Sequence, residues 1–518
     1  MKKLALAALL SLTVIFMVAG CNSQPNGDES DDMIAAANSR PVIGMPNDLP
    51  SPLPFASPGA QTQIVANATF SKLIYIDTDN DFEALPGLAH SWESNETASV
   101  WTFFLRDDVV FHSGHPFTAN DVAFTFERAS STENEGIAFL LPGADYIEEV
   151  VVVDAHTVTF RLNRSTADWP FYAAVNIMSK EAVEELGIEY GMRIGSGPFY
   201  FVNEEWDPGV SWVIRRFDEY WGEPAPSEEI EFRLIADLPQ LTLALETGEV
   251  DAIFQPDPAD LAKLLNSAEF NVFQSENVAN IFLGVNTEHE AGENPDIRRA
   301  IAHAVDRDAI VAAAYQDGKT GVPSYNFINN ASPGYLSVDH IPFDIDASRN
   351  ILGELGFSED NRLAIDLYTY DIFMPAAVEL QTSLNQSYFS VGVIEMSRTG
   401  FTAALSERRT WDIYLEETFS AGGVLNIVQN FLAHGASYNL SRYNSDALQA
   451  LLASAADAAS MDELMNRFAL IQEYLAEHVP VIPLVQQYVW VVGRDNFFGV
   501  QLGSQSNAVC FAGAYVTE

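Results

Sequence analysis

Cysteine is almost missing from this chain: of 518 residues only Cys21 and Cys510 carry a thiol. A framework of several disulfides is therefore excluded, and stability has to come from a hydrophobic core. Hydrophobic residues make up 48% of the chain, which is ample for that. A chain of this length suggests two to four domains. Lysine is nearly as scarce, confined to Lys2, Lys3, Lys72, Lys180, Lys263 and Lys319. Against 26 basic residues stand 72 acidic ones, for a formal net charge of −46. Such a field repels phosphates and excludes nucleic-acid binding as a main role. Acidic chains poor in aromatics stay disordered, but here aromatics reach 11%, so the chain folds. Acidity spread over the whole surface reads as adaptation to salt and points to a halophilic source, because high salt screens the self-repulsion. Attraction of a cationic ligand is the other reading of the acids. No Cys pair, His-x-x-x-His or glycine-rich phosphate loop occurs.

Past the first residues, long apolar runs are missing too. Lys2 and Lys3 precede an apolar stretch from Leu4 to Ala19, then Val18-Ala19-Gly20-Cys21. A basic start, a short apolar run and small residues before a break read as an export signal, 1–20. The run is too short and wrongly flanked for an ordinary membrane span. The Cys directly after Ala-Gly resembles the bacterial lipobox, which implies cleavage before Cys21 and a lipid on its sulfur. A plain secretory signal with an incidental Cys is the alternative. With Cys21 lipidated, Cys510 stands alone and no intramolecular disulfide forms. Residues 21–40, rich in Asn, Ser, Gly and Asp, read as a flexible tether.

From about Pro41, short strands and helices interleave without an internal repeat, which predicts an α/β or α+β fold. Val100–Leu105, Thr157–Leu162 and Ser211–Arg216 read as strands. Thr118 and Asp121 form a loose capping box for a helix over Asn120–Ser130. Asn294-Pro295 opens the clearest helix, whose Ile297, Ala300, Ile301, Ala304 and Val305 share one face. Helices are predicted over Asp346–Leu355, stopped by Gly356, over Ser445–Ala456, and over Met461–His478, stopped by Pro480.

Residues 85–128 carry a more specific pattern. Pro86, Leu88, Ala89, Trp92 and Glu93 lead to an aromatic strand ending in Leu105-Arg106. Then come Phe111, His112, Gly114, Pro116, Thr118, Ala119, Asp121 and Val122. Downstream stand Gly195-Ser196-Gly197-Pro198-Phe199, Tyr220-Trp221-Gly222, Gly248-Glu249-Val250-Asp251 and Asn286. They are followed by Asp296-Ile297-Arg298-Arg299-Ala300-Ile301 and Val305-Asp306-Arg307. In this order the segments resemble extracellular solute-binding protein family 5, the peptide, oligopeptide and nickel-binding components of ABC transporters. The likeness runs from about Val42 to about Val491.

The resemblance implies an α/β fold with two lobes around a cleft, a hinge between them and an extra satellite domain. Lobe one would hold 41–79, 196–284 and 484–518, the satellite 80–195, and lobe two 285–483. It implies an exported, lipid-anchored binder of a solute, handed to an ABC permease, with no cofactor and no catalysis. A membrane-anchored hydrolase is the rival class. Gly195-Ser196-Gly197 lacks the second spacing of a nucleophile elbow and carries Pro198 where a helix should start, which argues against it. His112 and His115 read either as a metal pair or as part of a turn before a helix. Peptide binders of the family place an Asp in the lobe-two wall of the cleft, where this chain has Ala421-Gly422-Gly423. Glu416 and Glu417, with Thr418 beside them, lie just upstream and are the expected acidic contacts. Nickel binders use a His shortly after this wall, which makes His434 the one metal candidate, against a surface or core His. Phe55 and Phe139 are the expected aromatic contacts, against ordinary core.

Overall fold

The computed structural model describes residues 39–56, 59–77, 83–129, 143–330, 332, 334–397, 400–401, 404–405, 411–419, 424–436, 438–458, 460–502 and 509–517. Two long strands organise the molecule, Phe270–Val285 and Val481–Arg494. The second is an almost unbroken apolar run, as expected of a strand covered on both faces. The two pair antiparallel along their length, with a register break between Ser275 and Ala279. Residues 281–285 and 481–485 pack in one core, whereas Val489 and Val491 pack in another. These strands therefore cross from lobe two to lobe one, and the break falls near the crossing.

In lobe one, Val42–Met45 lies parallel to Glu229–Leu234 and to Ala252–Phe254, and Ser211–Arg216 and Phe199–Phe201 extend the sheet. In lobe two, Leu363–Tyr370 lies parallel to both Phe389–Met396 and Ile413–Phe419. The last of these pairs with the first crossing strand, so one continuous run of paired strands spans both lobes.

A third core belongs to a separate four-stranded sheet. Its order is Ala89–Ser94, Val100–Leu105, Thr157–Leu162, Ile147–Asp154. Phe160 is its centre: Phe126, Phe103 and Trp169 surround it at ring-centroid distances of 4.7, 5.6 and 5.4 Å. Phe55, Leu73 and Ile74 also pack into this core, so the chain on both sides of helix Ala60–Thr69 serves the satellite as well as lobe one.

Local chemistry sets the element ends. The Asn294 side chain accepts from the Asp296 N–H and Pro295 fills the first turn of helix Pro295–His303, burying Ile297, Ala300 and Ile301. Ser445 and Ser460 cap Asp446–Ala456 and Met461–His478 in the same way. Gly356, at φ 91°, follows helix Ile345–Glu354. Asp121 does more than the capping box required. One oxygen accepts from the Thr118 N–H and hydroxyl, at 2.9 and 3.0 Å. The other accepts from the Lys180 N–H at 2.9 Å, so a single buried carboxylate ties two helix starts together.

The sequence motifs meet in space as scaffold. The His112 ring reaches the Gly-Ser-Gly loop: its Nε2–H donates to the Gly197 carbonyl at 3.0 Å, and its Nδ1 accepts from the Gly195 N–H at 3.3 Å. Side chains at either glycine would collide with the end of helix Ala60–Thr69, since a Cβ on Gly195 would lie 2.0 Å from the Thr69 oxygen. His115 instead faces Glu181 and Glu185, at 3.7 and 3.8 Å. The two histidines thus have separate partners and do not converge. The Trp221 indole donates to the Ser71 hydroxyl, which donates to the Ser196 carbonyl. Asp251 accepts from the Val42 N–H at 2.8 Å, fastening the first strand.

Cys510 corrects one expectation. It is buried in lobe one and engaged as a disulfide, not a lone thiol. The chain's other cysteine, Cys21, lies outside the described residues, as do the export signal and most of the tether.

Among the described residues several basic side chains are spent on exposed ion pairs, such as Arg40–Glu228, Arg161–Glu149 and Lys180–Glu184. Pairs of this kind contribute about 0–1 kcal/mol. They leave the acid excess uncompensated; helix Lys180–Gly191 alone exposes Glu181, Glu184, Glu185 and Glu189. The melting temperature should therefore rise between dilute buffer and molar KCl, read by differential scanning calorimetry. A flat or falling trend would remove the salt-adaptation reading.

Candidate ligand cleft

Strand Ile413–Phe419 lies beside the first crossing strand, with Glu416 opposite Phe282, Glu417 opposite Ile281 and Thr418 opposite Asn280. Successive side chains alternate between faces, so the two glutamates part company. Glu416 is only 8% exposed. One of its oxygens accepts from the Tyr370 hydroxyl at 3.2 Å and from the Glu417 N–H at 3.1 Å. Tyr370 itself packs against Phe373 and Phe401 inside lobe two. That carboxylate is turned into lobe two. Thr418 is buried as well, and its hydroxyl points back to the Asn280 carbonyl at 3.4 Å.

Glu417 faces the other way and is half-buried. Burial first, and then the charge of Glu417, holds the Tyr315 phenol well above its ordinary pKa. The Gln487 side chain hydrogen-bonds the same phenol and opposes the shift. Gln487 belongs to the second crossing strand, opposite Ala279 at the register break. Glu417, Tyr315 and Gln487 thus form a polar group where the lobes join. Sequence reasoning missed Tyr315 and Gln487, because no periodicity or motif marks residues that meet only through the crossing strands.

Phe55 is buried in the satellite core. Phe139 and Ala421-Gly422-Gly423 lie outside the described residues. His434 is exposed, in the turn after helix Val424–Leu432, beside Gly435 at φ 76°. Among the described residues no group of three His, Cys, Asp or Glu side chains converges as a metal site.

The satellite also touches lobe two directly. The Tyr146 hydroxyl donates to Gln429 Oε1 at 3.1 Å, and the Ser165 hydroxyl to the Ala458 carbonyl at 3.4 Å. Arg164 lies 3.4 Å above the Tyr146 ring. Behind them burial pushes the Asp168 carboxyl up to about 6.

The family model described as bacterial extracellular solute-binding proteins, family 5 middle, matches residues 83–438. The chain belongs to that family. It is a solute-binding protein and not an enzyme, as the family resemblance implied. It is 28% identical over 345 residues to the dipeptide-binding protein of Escherichia coli K12; the match covers 60% of this chain and 62% of that one. Over 558 residues it is 24% identical to heme-binding protein A of Haemophilus influenzae, covering 96% of this chain and 99% of the relative. Among solved structures, the periplasmic binding protein DppA of Helicobacter pylori, in complex with the peptide STSA, matches with a TM-score of 0.80. Identity there is 22%, covering 94% of this chain and all of that one. Staphylococcus aureus NikA in complex with Ni(L-His)2 matches at a TM-score of 0.74 and 16% identity, over 92% and 100%. These likenesses bear out the two-lobed α/β fold.

Proposed function

We propose that this chain is the exported receptor of an ABC importer and that its solute is a short peptide, held between the lobes and passed to the permease. Lobes and satellite then follow the bounds given above. The observation that carries the reading is Glu417. Its half-buried carboxylate stands at the junction of the lobes, on the wall strand, while its neighbour Glu416 is spent internally. A peptide's ammonium end needs such a partner, because an unpaired buried charge is too costly. The names of the E. coli and H. pylori relatives support the same solute class. Calorimetry should find binding of free di- or tripeptides that falls at least tenfold on N-acetylation. Equal affinity for acetylated and free peptides would overturn the ammonium contact.

A nickel–chelate solute is the second reading. It is favoured by the exposed His434 and by the likeness to a protein bound to Ni(L-His)2. Loss of binding confined to His434→Ala, with Glu417→Gln unaffected, would select it.

We also propose that a lipid on Cys21 holds the receptor at the membrane. Among the described residues no helix is long and apolar enough to cross one. Cys21→Ser should move the protein to the soluble fraction, read by fractionation of cell membranes. Unchanged membrane association of Cys21→Ser would contradict the anchor.

A further inference from the structure

Among the described residues lobe two buries two arginines, and they are used differently. Arg298 spends Nε, Nη1 and Nη2 on the carbonyls of Val479, Gly292, Glu293 and His478, at 2.8–3.2 Å. Arg307 is 6% exposed yet donates through Nε alone, to the carbonyls of Ser324 and Pro483 at 2.9 and 2.8 Å. Among the described residues its Nη1 and Nη2 have no hydrogen-bond partner and no carboxylate pairs with it. The Arg307 side chain lines a recess in lobe two that is open to solvent. Phe327, Ile341, Leu475, Val479 and Ile482 give the recess apolar walls. At its lip the rings of Tyr325 and His340 lie 4.0 Å apart, and the Arg307 guanidinium sits 5.1 Å from the Tyr325 ring centre.

We propose that this recess is a second ligand site, separate from the interlobe cleft, for a small organic acid. The acid's carboxylate would lie against the two open nitrogens of Arg307, and its apolar body against the walls. A planar guanidinium with both outer nitrogens unengaged matches a carboxylate fork. Asp308 is near enough to act on the guanidinium through its charge, but no carboxylate among the described residues pairs with it, which leaves its outer nitrogens for a ligand. The apolar lining selects an acid with a hydrocarbon body over a bare inorganic anion, which would leave those walls against water. Arg298 shows that the fold can engage all three nitrogens of a buried guanidinium with carbonyls; at Arg307 it leaves the outer nitrogens open.

The full-length protein should be titrated with benzoate, benzyl alcohol and sulfate in molar KCl, by calorimetry and ligand-observed NMR. The salt screens the surface acids, Asp308 and Asp339 among them, equally in every arm. Benzoate should bind at least roughly tenfold more tightly than either benzyl alcohol or sulfate. Ala476→Phe fills the recess from helix Met461–His478 without touching the Arg307 hydrogen bonds. It should weaken benzoate at least roughly tenfold while leaving the melting temperature near wild type. Arg307→Lys should lose the preference for benzoate over benzyl alcohol. The site is disproved if benzoate does not bind at concentrations up to about 10 mM, or if it binds equally to Ala476→Phe. Tighter binding of sulfate than of benzoate would overturn the organic-acid assignment.

Discussion

Glu417→Gln should weaken peptide binding by roughly a hundredfold to several thousandfold, the largest effect expected of any single substitution in the cleft. Breaking a buried charge pair by removing one partner costs about 3–5 kcal/mol, and each 1.4 kcal/mol is about a factor of ten. Glu417 is half-buried, so the lower end of that range is the better expectation. Glu416→Gln serves as the contrast. Its carboxylate is occupied by the Tyr370 hydroxyl and the Glu417 N–H within lobe two. Its loss should lower the melting temperature more than it changes affinity. Calorimetry and thermal denaturation on both variants separate the two roles. If both leave affinity within tenfold of wild type, no cation is held at this wall.

The second large effect is on stability and its pH dependence. Burial drives the His112 imidazole from an ordinary 6.5 down to about 4, against the smaller opposing effect of its bond to the Gly197 carbonyl. The folded protein therefore keeps this ring neutral while the unfolded chain takes up a proton below 6.5. The stabilisation is present in full above 6.5 and is lost as pH falls from 6.5 to about 4, a change of about 3 kcal/mol. Asp168 works in the opposite sense. Its carboxyl, raised to about 6 by burial, is held protonated by the fold, so its unfavourable contribution is relieved as pH falls below about 6. His112→Gln should cost about 3 kcal/mol at pH 7.5, through unmet groups in the Gly-Ser-Gly loop. It should also unfold with little of the wild-type decline between pH 6.5 and 4. Asp168→Asn should steepen that decline. Urea denaturation across this range measures both, and a His112→Gln profile parallel to wild type would refute the assignment.

What the sequence disclosed, and what it withheld, follows from the range of the forces. Helix starts at Asn294, Ser445 and Ser460 were legible because capping acts over three or four residues. The satellite strands were legible because aromatic and β-branched residues crowd into Val100–Leu105 and Thr157–Leu162. The motif His112-Ser113-Gly114 identified the fold, but its partner loop lies more than eighty residues on. That the ring's two nitrogens lock Gly195 and Gly197 is a long-range fact. The acidic pair Glu416-Glu417 was found from its place in the wall, and the alternation of a strand was enough to say that one at most faces the solute. Which one depends on Tyr370 on one face and on Tyr315 with Gln487 on the other, all brought in from distant segments. Arg307 carried no hint of its role, since its difference from Arg298 lies in which carbonyls the fold places nearby.

The central claim, a short peptide held between the lobes, meets its most direct test in native mass spectrometry of the receptor purified from its own host. The account predicts added masses that fragment as peptides of a few residues, present on wild-type protein and strongly reduced on Glu417→Gln. Protein that carries nickel–histidine or another non-peptide solute, and that takes up no peptide from a mixed pool once stripped, would contradict it.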